Sequence, residues 1–127
     1  MNPITIRLIT IAALFTVMLL FGIWLSLAGK PYNAVLMSVH KILALAAAVV
    51  IVVSTLDWIK VTEMRASFWI LIIFYGILYF ITFISGVLLS FDKPYNTIIV
   101  IVHKISLIAA ALSTGLMIYL ATKLVKI

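Results

Sequence analysis

The stretch Lys30–Asn33, with the sequence Lys-Pro-Tyr-Asn, is followed seven residues later by His40-Lys41, and the whole pattern occurs twice. The second copy comprises Lys93–Asn96 and His103-Lys104, at a constant offset of 63 residues (93 − 30 and 103 − 40). These are also the only two histidines in the sequence. A hydrophobic unit duplicated with one imidazole per copy is therefore the feature that any account of fold and function must explain.

The composition indicates a membrane protein. The chain has 127 residues, of which 67% are hydrophobic and 9% charged, and its mean hydropathy is +1.40, far outside the range of soluble globular domains. The formal charge of +6 comes from basic residues scattered near predicted helix ends, which is typical of membrane anchoring, so we expect no nucleic-acid partner. The absence of cysteine excludes disulfides, thiolate metal sites and a covalent Cys-x-x-Cys-His haem attachment.

Four segments are long enough to cross a hydrocarbon core of about 30 Å as helices. The predicted spans are Leu8–Ala28, Ala34–Leu56, Ser67–Phe91 and Thr97–Thr122. The first resembles a signal peptide, but it is the counterpart of the third and long enough to span the membrane, so we interpret it as a transmembrane helix. The predicted fold class is an all-α membrane protein: one transmembrane domain over residues 1–127, forming a four-transmembrane-helix bundle.

The duplication predicts the symmetry of this bundle. Each repeat (residues 1–60 and 64–127) crosses the membrane twice, so the two copies insert in the same orientation and form parallel two-helix repeats related by a pseudo-two-fold axis along the membrane normal. Apart from the two lysines that follow the histidines, five basic residues lie at the end of the predicted bundle that carries both termini, and two lie at the opposite end. This bias predicts a multi-pass protein of the cell (plasma) membrane with both termini cytoplasmic.

The connections are predicted to be short turns. Pro31 and its counterpart are placed in the first turn of a helix, where a proline costs no hydrogen bond, and Gly29 is a turn or cap residue. The middle connection is predicted over Asp57–Arg65, with Asp57 and Glu63 as loop charges and with interfacial tryptophans, Trp58 and Trp69, at its flanks.

Two parallel helices place the histidines at equal depth, about 13 Å along the helix when counted from the proline at 1.5 Å per residue. Facing each other across the axis, they could bind a flat ligand. Gly22 is predicted at the depth of His40, with Ser85 (22 + 63) as its equivalent and Gly86 beside it. Such small residues make room for the edges of a macrocycle, or equally for close helix packing without a ligand.

Haem is the cofactor that fits two opposed neutral imidazoles, whereas zinc or copper would lack further ligands. We therefore predict one non-covalent haem b per chain, with His40 and His103 as the metal ligands. Basic and tyrosine side chains toward the outer surface are candidate partners of the haem propionates or of a quinone headgroup: Lys41, Lys104, Lys30, Lys93, Tyr32 and Tyr95. The Lys-Pro-Tyr-Asn stretch is also adequately explained as a surface turn.

This arrangement resembles small four-helix membrane b-type cytochromes, such as those of the cytochrome b561 type. The resemblance rests residue by residue on His40 and His103, and it implies electron transfer linked to a quinone, a quinol or a partner subunit. Those cytochromes commonly carry two haems and four ligands, whereas this chain has one histidine pair. The expected function is therefore electron transfer at the outer face, as an oxidoreductase component without visible catalytic residues. A homo-oligomer is compatible with the sequence.

Other interpretations remain open. The histidines could handle protons or substrate, or could be helix-packing residues that were inherited by duplication. The chain would then be a non-redox membrane protein, either a small transporter of duplicated units or an accessory subunit.

Overall fold

The computed structural model describes residues 3–61, 66–91 and 96–124. These residues form four α-helices and no strand: α1 (Pro3–Ala28), α2 (Ala34–Val61), α3 (Ala66–Leu89) and α4 (Thr97–Leu124). The predicted all-α class is confirmed. The predicted end of α1 and the predicted starts of α2 and α4 agree with the structure to the residue.

Each helix contains a stretch long and apolar enough to cross a membrane: Thr5–Ala28, Ala34–Lys60, Trp69–Leu89 and Thr97–Leu120. Large apolar side chains on the outer faces are exposed, for example Leu27 at 83% and Val35 at 70%. Such surfaces are stable against acyl chains, and the helices satisfy their backbone hydrogen bonds internally. The chain is therefore a multi-pass membrane protein.

The chain divides into two compact units between Glu63 and Met64. In the first unit α1 packs against α2, and in the second α3 packs against α4, so each unit is an antiparallel helical hairpin. The division falls inside the predicted middle connection. The single domain with a two-fold axis through both repeats stays a prediction.

A seam of buried residues joins the two helices of the first hairpin. On α1 the seam residues recur at alternating steps of three and four, the spacing that keeps one face of a helix against a partner. They are Leu8, Ile11, Phe15, Met18 and Leu25. The next step after Met18 in this series is Gly22. On α2 the seam contains Ala47, Ser54 and Trp58.

Asparagine caps the second helix of each hairpin. The Asn33 Oδ1 accepts hydrogen bonds from the backbone N–H groups of Val35 (2.9 Å) and Leu36 (3.1 Å). In the second hairpin, the Asn96 Oδ1 accepts one from the Ile98 N–H at 3.1 Å. The repeated asparagine is therefore the N-cap of α2 and of α4, which satisfies donors that have no partner within the helix.

The cap corrects two predictions about the turn. Pro31 precedes the capping residue and is not in the first turn of α2; Pro94 lies outside the described residues. The depth of the histidines must then be counted from Ala34 and Thr97, six residues before His40 and His103, which gives about 9 Å instead of 13 Å. At the other side of the first turn, Gly29 is confirmed as the cap of α1: its φ is 72°, and its N–H donates to the Leu25 carbonyl at 3.2 Å.

The predicted middle connection is wrong at its start. Helix α2 continues to Val61, so Asp57 is a helical residue that accepts a hydrogen bond from the Arg7 guanidinium of α1. The Lys60 ammonium lies 3.8 Å from the same carboxylate and in the last turn of α2, where a cation is favourable to the helix dipole. Trp58 is buried in the hairpin instead of flanking a loop, whereas Glu63 lies outside the described residues.

We expect Asn33→Ala to destabilise the first hairpin by about 1 kcal/mol, because the Val35 and Leu36 N–H groups lose their acceptor. Hydrogen exchange of these two amides in detergent micelles measures the effect directly. Asn33→Asp, which keeps an acceptor oxygen, is the matched control and should retain their protection. Equal exchange in Asn33→Ala and the unaltered protein would contradict the assignment of the cap.

Candidate functional site

Each histidine lies on the face of its helix that packs against the neighbouring helix of the same hairpin. His40 precedes the buried Ala47 by seven residues, and His103 precedes the buried Ala110 by seven. Seven residues are close to two helical turns, so each histidine shares a face with its alanine. Both imidazoles are half-buried.

In the first hairpin the His40 ring reaches the backbone of α1. Its Nδ1 lies 3.0 Å from the Met18 carbonyl oxygen. A carbonyl oxygen only accepts hydrogen bonds, so Nδ1 must carry the proton and donate it. In the neutral imidazole, the lone pair is then on Nε2, which is the nitrogen able to coordinate a metal.

The second hairpin repeats this contact. The His103 Nδ1 lies 3.0 Å from the Thr82 carbonyl oxygen of α3. The same reasoning assigns the proton to Nδ1 and the lone pair of the neutral ring to Nε2. The two histidines thus share one tautomer, and each is oriented by a helix carbonyl of its own hairpin.

A glycine on the facing helix lets each ring approach this closely. A Cβ atom at Gly22 would lie 3.0 Å from the His40 Cε1, and one at Gly86 would lie 3.0 Å from the His103 Cε1. Each glycine also follows the accepting residue by four positions (18 to 22, and 82 to 86). The small residues predicted at histidine depth therefore make room for the imidazole of their own hairpin.

The correspondence between residues of the two repeats differs from the prediction. Gly86, and not Ser85, is the spatial equivalent of Gly22, so α1 corresponds to α3 at an offset of 64 (86 − 22) while α2 corresponds to α4 at 63. The second hairpin has one residue fewer between its glycine and its capping asparagine. A signal for this shift is present in the sequence, because Leu14, Leu25 and Ser26 recur at offset 64 as Leu78, Leu89 and Ser90.

Ser85 has a different role from the predicted one. Its Oγ lies 3.0 Å from the His103 Nδ1, and its hydroxyl donates to the Ile81 carbonyl at 2.7 Å. Thr82, which the sequence reasoning missed, contributes both the carbonyl that binds His103 and a hydroxyl 2.8 Å from the Ser106 Oγ. Ser106 in turn donates to the His103 carbonyl at 3.2 Å.

Of the predicted basic and tyrosine residues, Lys30 and Tyr32 lie in the turn before α2. Lys41 and Lys104 are exposed and about 100° round the helix from the adjacent histidines. The Lys30 ammonium lies 5.5 Å from the centroid of the half-buried Tyr32 ring, a cation–π contact. Lys93 and Tyr95 lie outside the described residues. The structure thus brings Gly22 to His40, and Ser85 and Gly86 to His103.

Within residues 3–61, 66–91 and 96–124, no group of three or more histidine, aspartate or glutamate side chains could hold a metal ion. A bare zinc or copper ion would therefore have too few protein ligands at either histidine. Each hairpin offers one imidazole, so a metal bound at either histidine must bring other ligands of its own.

No family model, no curated protein and no solved structure matches this chain. The cytochrome resemblance therefore stays a prediction from two histidines and four helices. A functional assignment depends on the chemistry of the two hairpins themselves.

We expect Gly22→Ala and Gly86→Ala to displace the imidazoles, because a Cβ atom 3.0 Å from Cε1 forces the ring to move by a few tenths of an ångström. The displacement should weaken the Nδ1–carbonyl hydrogen bond, and nitrogen-15 NMR of labelled histidine would report it as a changed Nδ1 shift. Gly76→Ala is the matched control, since nothing lies within 4 Å of a Cβ there. If Gly22→Ala and Gly86→Ala leave the histidine signals unchanged, as Gly76→Ala should, the proposed contact is wrong.

Proposed function

We propose that this protein is a membrane b-type cytochrome that holds one non-covalent haem through His40 and His103 and transfers electrons at the outer face of the membrane. One observation supports it above the others. In both hairpins an imidazole donates its Nδ1 proton to a helix carbonyl, 3.0 Å away in each case, so that Nε2 carries the lone pair of the neutral ring, as a metal ligand must. Histidines that ligate metals are commonly oriented by such a bond from the second nitrogen.

The donor set fits haem. The macrocycle supplies four nitrogens to its iron, so two protein ligands complete the coordination, and two neutral imidazoles are what this chain offers. The Nδ1–H hydrogen bond fixes the ring orientation and raises the basicity of Nε2. The lack of cysteine in the sequence requires that the haem be held without thioether bonds.

Helix packing alone is a weaker explanation of the histidines. Ionisable side chains within membrane spans are rare and usually functional, because the charged form is costly there. The same three parts, an imidazole, a carbonyl and a glycine, recur in both hairpins although the accepting residues differ, Met18 in one and Thr82 in the other. The ring has the same orientation in both hairpins although its neighbours differ. This recurrence favours a function that requires the orientation.

The chain's residues have distinct roles in this proposal. Haem supplies reversible one-electron chemistry when bound. The imidazoles bind and orient it, and the apolar helices exclude water. Basic and tyrosine side chains near the outer turns are the proposed partners of the propionates or of a quinone: Lys30, Lys41, Lys93, Lys104, Tyr32 and Tyr95. With a single site in the outer half of the membrane, the electron partner is a quinone, a quinol or another subunit that reaches that face.

A non-redox transporter is the second candidate, because parallel repeats also build transporters. Transporter sites are typically formed by discontinuous helices, however, whereas α2 and α4 run without interruption over Ala34–Val61 and Thr97–Leu124. This continuity favours the cytochrome.

The test is a visible spectrum and a pyridine haemochrome assay on protein expressed with haem supply and purified in detergent. We expect one haem b per chain and a Soret band that shifts on reduction. His40→Ala and His103→Ala should each change this spectrum, because each removes one of the two side chains that would hold the haem. Ser54→Ala and Ser113→Ala, at buried seam positions of α2 and α4 away from the histidines, are the matched controls and should leave it unchanged.

Two outcomes would contradict the proposal: protein without a Soret band, or a haem spectrum that is the same in both histidine variants. Colourless protein that catalyses substrate-dependent flux in liposomes would favour the transporter.

A further inference from the structure

The two histidines have the same backbone contact but different side-chain surroundings. His103 lies in a group of three hydroxyls from Thr82, Ser85 and Ser106, which we term the hydroxyl cluster. The Ser85 and Ser106 side chains are buried, with 5% of each residue exposed. Hydrogen bonds in such an apolar, water-poor setting are stronger than at a surface.

The cluster holds the ring directly. The Ser85 hydroxyl proton is donated to helix carbonyls, to Ile81 at 2.7 Å or Thr82 at 3.0 Å, so its oxygen is left to accept from the His103 Nδ1–H. The Nδ1 proton is then shared between two acceptors of α3, the Thr82 carbonyl and the Ser85 hydroxyl, each 3.0 Å from the nitrogen.

The cluster also holds the backbone that carries the ring. The Thr82 hydroxyl lies 2.8 Å from the Ser106 Oγ, which joins α3 to α4, and 2.8 Å from the Leu78 carbonyl oxygen. When Thr82 donates to Ser106, the Ser106 proton is left to donate to the His103 carbonyl at 3.2 Å. His103 is therefore connected to α3 by its ring and, through Ser106, by its main chain. If the imidazole rotated away from α3, its Nδ1–H hydrogen bonds would break. The main-chain connection through Ser106 would still hold α4 against α3.

The first hairpin cannot form such a cluster. The positions equivalent to Thr82, Ser85 and Ser106 are Met18 (82 − 64), Phe21 (85 − 64) and Leu43 (106 − 63). None of these side chains has a hydroxyl. What holds the His40 ring to α1 is the hydrogen bond to the Met18 carbonyl and the contact with Gly22.

We infer that the two imidazoles are held unequally, with His103 as the fixed ligand and His40 as the exchangeable one, so that a small neutral ligand of haem iron binds on the His40 side. Thr82, Ser85 and Ser106 are positioning residues for His103. The unequal holding is a property of the polypeptide; the ligand class rests on the proposed function.

The first experiment needs no haem. In protein labelled with nitrogen-15 histidine, two imidazole signals are expected, and the histidine variants assign them. The His103 Nδ1–H should exchange with deuterated solvent about tenfold more slowly than that of His40, the effect of a hydrogen-bond contribution of ordinary size.

Ser85→Ala should remove most of this difference, because the Ser85 hydroxyl contacts the His103 Nδ1 directly. Thr82→Val and Ser106→Ala should each reduce it, and Thr82→Ser should restore it because it keeps the hydroxyl. Ser113→Ala, a buried serine of α4 outside the cluster, is the matched control. The reciprocal variant Phe21→Ser with Met18→Thr and Leu43→Ser should slow exchange at His40. Equal exchange of the two unaltered imidazoles, or a difference that survives Ser85→Ala, would overturn the inference.

The second experiment uses haem-loaded protein and carbon monoxide. The reduced protein should bind carbon monoxide in place of His40, and His40→Ala should retain haem and bind the gas more readily. His103→Ala should lose haem at least tenfold more readily than His40→Ala. Equal losses from the two variants would overturn the inference and leave the cytochrome intact. Absence of haem from the unaltered protein would instead contradict the proposed function, and the exchange rates would still decide whether the imidazoles are held unequally.

Discussion

The hydrogen bond from each imidazole Nδ1–H to a helix carbonyl is the interaction on which the rest of the structure depends. An N–H group without an acceptor in hydrocarbon costs roughly several kcal/mol, so a histidine at this depth must find a partner. Helix carbonyls are abundant acceptors there, and their second lone pair is available beside the helical bond. The ring must come close to the backbone of the facing helix to use it.

The glycine follows from this constraint. In an α-helix the Met18 carbonyl accepts from the Gly22 N–H, so the glycine is the residue one turn beyond the acceptor and beside the path of the ring. A larger residue at this seam position would place its Cβ 3.0 Å from the His40 Cε1. The same relation holds for Thr82 and Gly86. Glycine and histidine thus remain in contact in both hairpins, although the second hairpin has one residue fewer between them.

The sequence was sufficient to predict the four helices and the level of the histidines relative to Gly22, because length, apolarity and a short connecting turn leave little freedom in a bilayer. It was insufficient where one helix shifts against another: assuming a constant offset of 63 made Ser85 the equivalent of Gly22. It also failed at Asp57, since a charged residue does not end a helix when Arg7 on the neighbouring helix can pair with it. The carbonyl that accepts each histidine proton could not be predicted, because every residue has a backbone carbonyl and the sequence does not distinguish one from another.

Duplication followed by divergence explains why the two hairpins agree in some features and differ in others. Features that set the position and tautomer of the imidazole are shared: the asparagine cap, the glycine and the accepting carbonyl. Side chains next to the ring are not, since hydroxyls surround His103 where Met18, Phe21 and Leu43 occupy the corresponding positions near His40. A flat ligand of the kind we propose would require that both imidazoles present Nε2 in the same way, but it would not require that the two rings be held equally firmly. Selection on the shared features alone would therefore leave the neighbours of each ring free to diverge, which accounts for the unequal holding that we infer for the two imidazoles.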